Sequence, residues 1–147
     1  MLTELMIAFG IVAVCVVIHI TGMVTLAERM LRRRETLEKQ PGLARSILLL
    51  INVFATIIVL HLIETAIWAA FYQWQRLFPD YETSLYFSLG SYVTIGYGDV
   101  VLPQRWRLLG GIEGVSGVLL CGLSGAFLFV IVSALFQTRM QQARREK

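Results

Sequence analysis

The chain has 147 residues, 56% of them hydrophobic, a formal net charge of +3 and a strongly positive mean hydropathy. Such a composition excludes an ordinary soluble domain and, at this length, allows one compact unit of a few membrane-spanning helices. No glycine-rich phosphate loop, nucleophile elbow or zinc-ligand spacing occurs, so neither enzymatic chemistry nor a cofactor is expected, and no nucleic-acid partner.

The first residues, "MLTEL", carry Glu4 and no Lys or Arg, so the positive n-region of a secretory signal is missing. The first apolar run extends from Leu5 to about Ala27. A bilayer core is crossed by ~20 apolar residues of helix, and backbone in lipid must satisfy its own hydrogen bonds, so this run is predicted to be a spanning helix. It contains Cys15 and a lone histidine, His19. Cys15 and Cys121, both within apolar runs, are read as small packing residues, with no disulfide and no metal site.

Residues 28–45, "ERMLRRRETLEKQPGLAR", are basic and close on Pro41-Gly42, which predicts a short helical extension followed by a turn. Arg32–Arg34 could meet anionic lipid head groups or simply fix the topology. A second span is expected over about Ile47 to Tyr72 and a third over about Leu108 to Phe136, followed by the basic tail "QTRMQQARREK". That tail is too short for a nucleotide- or Ca²⁺-binding domain. No span carries arginines every third residue, so no voltage-sensing helix is expected.

The loop holds Arg29, Arg32, Arg33, Arg34, Lys39 and Arg45, and the tail holds Arg139, Arg144, Arg145 and Lys147: ten of the 13 basic residues. The positive-inside bias therefore predicts a multi-pass protein of the cell (inner) membrane, with loop and tail cytoplasmic and the N-terminus outside. The opposite side carries Glu4, Asp80, Glu82 and Asp99, a sign of charge that favours cations at the mouth.

Between the second and third spans lies "QWQRLFPDYETSLYFSLGSYVTIGYGDVVLPQRWR", residues 73–107. Pro79-Asp80 and Thr83-Ser84 are turn and N-cap signals. From about Glu82 to Val93 the chain is apolar for roughly three helical turns, too short to cross a bilayer. This predicts a re-entrant helix entering from outside, with "TIGYGD", residues 94–99, climbing back out to Pro103. Non-helical backbone at membrane depth must be buried in protein or line a water-filled cavity. Carbonyls at the C-terminal end of a short helix suit a cation there.

"TIGYGD" resembles the potassium-channel signature TVGYGD, with Ile95 in place of the usual Val. The resemblance covers about residues 46–136 and implies the two-span pore unit of the tetrameric cation channels, to which residues 1–45 add an extra helix and a basic loop. The fold it implies is an all-α membrane protein of three transmembrane helices, a re-entrant pore helix and a selectivity-filter loop, assembled as a homotetrameric pore, with residues 137–147 as a short cytoplasmic tail. The carbonyls of Thr94, Ile95, Gly96 and Tyr97, with the Thr94 hydroxyl, would replace the water shell of K⁺. Gly96 and Gly98 would permit unusual backbone angles, Tyr97 would point towards the pore helices, and Asp99 would sit at the outer mouth.

Two departures stand out. Val93 occupies a position where many members carry a second threonine, and Gly90 one where some carry a glutamate that pairs with the aspartate. Asp99 then needs another partner or water, and Tyr86 is the candidate.

The third span is rich in glycine. Gly117, Cys121 and Gly125 form a small-xxx-small row, and Gly117 or Gly122 could be the hinge of a cytoplasmic gate or serve packing alone. Glu64 and Glu113 lie within spans, both in the outer third by counting from the helix ends, and His61 precedes Glu64 by one helical turn. His61, Glu64, Glu113 and Tyr86 form a candidate buried polar network, either as a protonation switch behind the pore helix or, more simply, as carboxylates bonded to Tyr86, Ser88 or Tyr92. His19 is placed by the same count in the other leaflet from His61, so no metal pair is expected.

The reading is a K⁺-selective channel subunit conducting passively. Its alternatives are a weakly selective monovalent cation channel of the same fold, a proton-transfer protein or enzyme using His61, Glu64 and Glu113, and a non-conducting subunit.

Overall fold

In the computed structural model, residues 2–32 and 43–145 are described, with side chains through 141. Four α-helices run in chain order: α1, Leu2–Arg32; α2, Leu43–Trp74; α3, Tyr81–Tyr92; and α4, Arg107–Arg145, preceded by a 3₁₀ turn at Gln104–Trp106. Among the described residues there is no strand. The helices α1, α2 and α4 are each long and apolar enough to cross a membrane; α3, at 12 residues, is not. This is an all-α membrane protein with three spanning helices and one short helix between the second and third.

Local sequence sets the ends of these helices. The helix α2 closes with Arg76 in the left-handed region at φ 53°, where the Leu77 amide reaches back to the Tyr72 carbonyl at 3.0 Å. That bond satisfies one of the carbonyls a helix end leaves open. Asp80 is extended, and its carboxylate accepts from the Thr83 amide at 2.7 Å, capping α3 as the Pro-Asp sequence predicts. The α3 boundaries differ from expectation by one residue at each end, and α4 continues unbroken past Phe136 to Arg145.

Two apolar clusters hold the bundle. One gathers Ala8, Cys15, Trp68, Phe71, Tyr72, Phe78, Tyr92, Leu102, Leu109 and Leu120 around the base of α3. The other joins Met23, Leu26, Val53, Ile57, Leu60 and Ile131 at the opposite end of α1, α2 and α4. Gly22 of α1 lies against the Leu60 side chain, where a Cβ would collide, so small size at this position sets how closely α1 approaches α2. At its other end α1 is pinned by Glu4, whose carboxylate accepts from the Arg105 guanidinium at 2.6 Å. The outward faces carry Phe9, Val17, Leu48 and Ile58, large apolar side chains suited to lipid.

Candidate functional site: a half-helix, the glycine-punctuated segment after it and two buried carboxylates

The α3 helix ends at Tyr92, and the backbone that follows is neither helix nor strand. Thr94, Gly96 and Gly98 have φ of 60°, 53° and 80°, while Ile95 and Tyr97 are not in the positive region. A sign change at every second residue lets successive carbonyls turn to one side, where a β-strand would alternate them. Gly96 and Gly98 take this conformation freely; Thr94, β-branched, holds it against a steric cost of roughly 1–3 kcal/mol. The segment's amides point back into α3: Thr94 donates to Ser91 O at 3.0 Å, and Ile95 and Gly96 both donate to Gly90 O at 2.9 and 3.1 Å. Gly90 thus serves as the anchor of the strand.

Tyr97 stacks on Tyr86 of α3, ring centres 6.2 Å apart and 12° from parallel, and the Tyr86 hydroxyl donates to Asp99 at 2.8 Å. Tyr86 therefore holds both the strand's aromatic residue and its terminal carboxylate. This places Tyr86 on the exposed side of α3, away from His61, Glu64 and Glu113, and removes it from the expected buried network: Asp99, nearer and exposed, takes its hydroxyl.

The helix α4 approaches α3 along glycines. A Cβ at Gly117 would fall on the Tyr92 carbonyl, and one at Gly114 would lie 3.0 Å from the Ser91 carbonyl. Gly110 faces Phe87. The close-packing row is thus Gly110, Gly114 and Gly117, whereas Gly122 and Gly125 have open space and Cys121 is exposed. A groove of about 470 Å³ lies on the same side, lined by Thr94, Gly96, Gly111, Gly114, Val118 and their neighbours.

The two membrane carboxylates lie behind α3, in separate clusters rather than one network. Glu113 of α4 is fully buried and accepts from Tyr72 of α2 at 2.7 Å and from Ser88 of α3 at 2.5 Å. Ser88 also lies 2.8 Å from the Thr65 carbonyl. Glu64 of α2, equally buried, accepts from the Tyr92 hydroxyl and has the Nδ1 atoms of His19 and His61 at 2.8 and 3.2 Å. Ser124 Oγ of α4 touches both Nε2 atoms, at 2.9 Å to His19 and 3.2 Å to His61.

His19 and His61 are neighbours, with ring centres 5.1 Å apart. The expectation of opposite leaflets fails because α1 and α2 have 31 and 32 residues, about 46–48 Å at the helical rise. Helices that much longer than a ~30 Å hydrocarbon core do not begin and end at its surface, so counting from their ends misjudges depth. Tyr72 and Ser124 were not anticipated. The signal that could have linked His19 to Glu64 is that an ionisable group within a span needs a partner on another one. Of Arg32–Arg34, Arg32 closes α1, while Arg33 and Arg34 lie outside the described residues.

Residues 46–141 match the family model described as "Ion channel". No match was found among curated proteins or among solved structures.

Proposed function

The chain belongs to the ion channel family, and within it we propose that it is the subunit of a homotetrameric, potassium-selective channel of the cell membrane, conducting passively. The observation that carries this reading is the alternating backbone of Thr94, Gly96 and Gly98, tied by its amides to the C-terminal carbonyls of a 12-residue half-helix. With amides turned back to α3, the carbonyls of Thr94, Ile95, Gly96 and Tyr97 are free to face an ion, and the α3 dipole adds partial negative charge beneath them. One strand supplies one side of a coordination shell. Several copies around an axis would close it, and the exposure of Thr94 through Asp99 together with the groove beside α4 supports such an assembly.

In this reading K⁺ sheds water near Asp99, passes the carbonyl sites in single file, and enters a cavity lined by α4. Asp99 and the strand face outward, and the loop and C-terminus are cytoplasmic, following the distribution of basic residues. Arg29 and Arg32 in the last turn of α1 would meet anionic head groups there. K⁺ is the permeant ion; no other cofactor is invoked.

A weakly selective monovalent cation channel of the same fold is the second reading. It is favoured by Val93, an exposed apolar residue directly before the strand, where a hydroxyl would add an oxygen at the inner end. The deciding experiment is K⁺ flux from liposomes containing the purified protein, with Na⁺ as competitor and Gly96→Ala as control. Gly96 sits at φ 53°, where a Cβ costs roughly 1–2 kcal/mol. K⁺-preferring flux that vanishes in the variant supports the first reading. Equal Na⁺ and K⁺ flux supports the second, and absence of flux from folded oligomers would leave a non-conducting subunit.

A further inference from the structure

Four helices meet at one buried point. His19 comes from α1, His61 and Glu64 from α2, Tyr92 from the end of α3 and Ser124 from α4. We propose that His19, His61 and Glu64, with the Tyr92 phenol as a further oxygen donor, form a binding site for one zinc-class divalent cation per chain, clamping α1 to the pore unit directly beneath the strand.

The donor set and spacing fit such an ion. One ligand atom from each of His19, His61 and Glu64 can be chosen so that all lie within 4.8 Å of one another. The Nδ1 atoms of His19 and His61 lie 2.8 and 3.2 Å from the two different oxygens of the Glu64 carboxylate, and His61 Nδ1 lies 2.9 Å from the Tyr92 oxygen. Zinc bonds of about 2.0–2.2 Å at tetrahedral angles place neighbouring ligand atoms about 3.3 Å apart, so these histidine contacts open by a few tenths of an ångström, while Tyr92 and Glu64, in closer contact, move further apart. Two imidazoles and a carboxylate suit zinc and its neighbours, not Mg²⁺ or Ca²⁺.

The outer side of the cluster is also suited to it. With both Nδ1 lone pairs on the ion, each imidazole keeps its proton on Nε2. Ser124 Oγ touches both Nε2 atoms, and its two lone pairs can accept both protons. A hydroxyl that fixes the tautomer of two metal-bound histidines is the kind of outer support such sites use. The Glu64 carboxylate offsets part of the ion's charge, and because the ligands bind in competition with protons, affinity rises with pH. His19 and Glu64 are fully enclosed and His61 keeps 18% of its side chain open, which gives an approach for the ion beside the exposed Cys121.

The test uses the full chain in detergent, stripped with a chelator and titrated with Co²⁺, whose visible absorption reports tetrahedral coordination. One Co²⁺ per chain with a tetrahedral spectrum is expected. The variants His19→Ala and His61→Ala should each weaken binding at least tenfold, and Ser124→Ala, a positioning change, by roughly 10- to 100-fold with an altered spectrum. Thr138→Ala, whose hydroxyl bonds only within α4 at an exposed place, should leave both unchanged. Should an alanine variant not fold, His19→Gln and Glu64→Gln, which keep size and polarity, take its place. Absence of stoichiometric Co²⁺ uptake by the wild type would overturn the site and leave a hydrogen-bonded cluster, as would unchanged affinity in histidine variants of wild-type particle size. No ion flux enters the readout, so this result stands apart from that on conduction.

Discussion

Tyr86 donates its hydroxyl to Asp99 across 2.8 Å, from the outer face of the short helix to the residue that ends the glycine-rich strand. With the Tyr86–Tyr97 stack, this bond holds the strand's outer end against α3. It ties the Asp99 side chain to a different element of the fold. Tyr86→Phe keeps the ring and the stack and deletes only the bond. We expect the variant to fold and conduct but to lose flux faster during sustained conduction, by roughly two- to tenfold for one modest hydrogen bond. Time-resolved K⁺ flux from liposomes checks this; an unchanged time course would show that the bond does not support the conducting shape.

Glu113 ties three helices together through Tyr72 and Ser88. Glu113→Ala leaves the Tyr72 hydroxyl without its acceptor in a buried place, at about 1–3 kcal/mol, while Ser88 keeps the Thr65 carbonyl, and it opens a cavity besides. Glu113→Gln retains an acceptor and fits the space, so it should cost clearly less. Thermal melting of the purified protein in detergent should rank wild type above Gln above Ala. An Ala variant as stable as the Gln variant would mean that the carboxylate's partners find water instead.

The two candidate hinge glycines differ in surroundings. A methyl at Gly117 meets the backbone carbonyl of Tyr92, and one at Gly122 meets nothing within 4 Å. Gly117→Ala should therefore destabilise by about 1–3 kcal/mol through overpacking and push on the residues leading into the strand. Gly122→Ala should fold as well as wild type, since alanine favours helix by about 1 kcal/mol over glycine. If Gly122 is where the helix bends, this variant will be stable and yet gate differently. Melting curves and single-channel open times together separate packing from bending.

The cap of α3 sets a pH dependence outside the spans. The Thr83 amide, donating to Asp80, holds that carboxyl below its ordinary value. A carboxylate depressed on folding contributes stability that is present above its unfolded pKa, about 3.9, and is lost as pH falls through the folded value. Asp80→Ala should thus melt below wild type at neutral pH, and the gap should close below about pH 4. Asp80→Asn, which still caps, should show a smaller gap at neutral pH, and that gap should shrink over the same acid range, since the group that titrates is the wild-type carboxyl.

Much of this architecture is local and was legible in the residues. Three long apolar runs, a twelve-residue apolar stretch opened by Pro79-Asp80, and a strand punctuated by Gly96 and Gly98 determine three spans, a half-helix and a left-handed backbone, because run length and glycine or proline chemistry act over a few residues. The Tyr86–Asp99 pair was legible too, since a short helix and the strand leaving it cannot separate far. The sequence left open which buried polar side chains meet. That His19 faces Glu64, that Ser124 sits between two imidazoles, that Glu113 and Glu64 form separate clusters, and that Gly117 rather than Gly122 touches Tyr92 all depend on the relative height and rotation of helices distant in the chain. Those are fixed only when the helices pack, since a change of one turn in height or one residue in rotation replaces every such partner while leaving each helix's own apolar pattern intact.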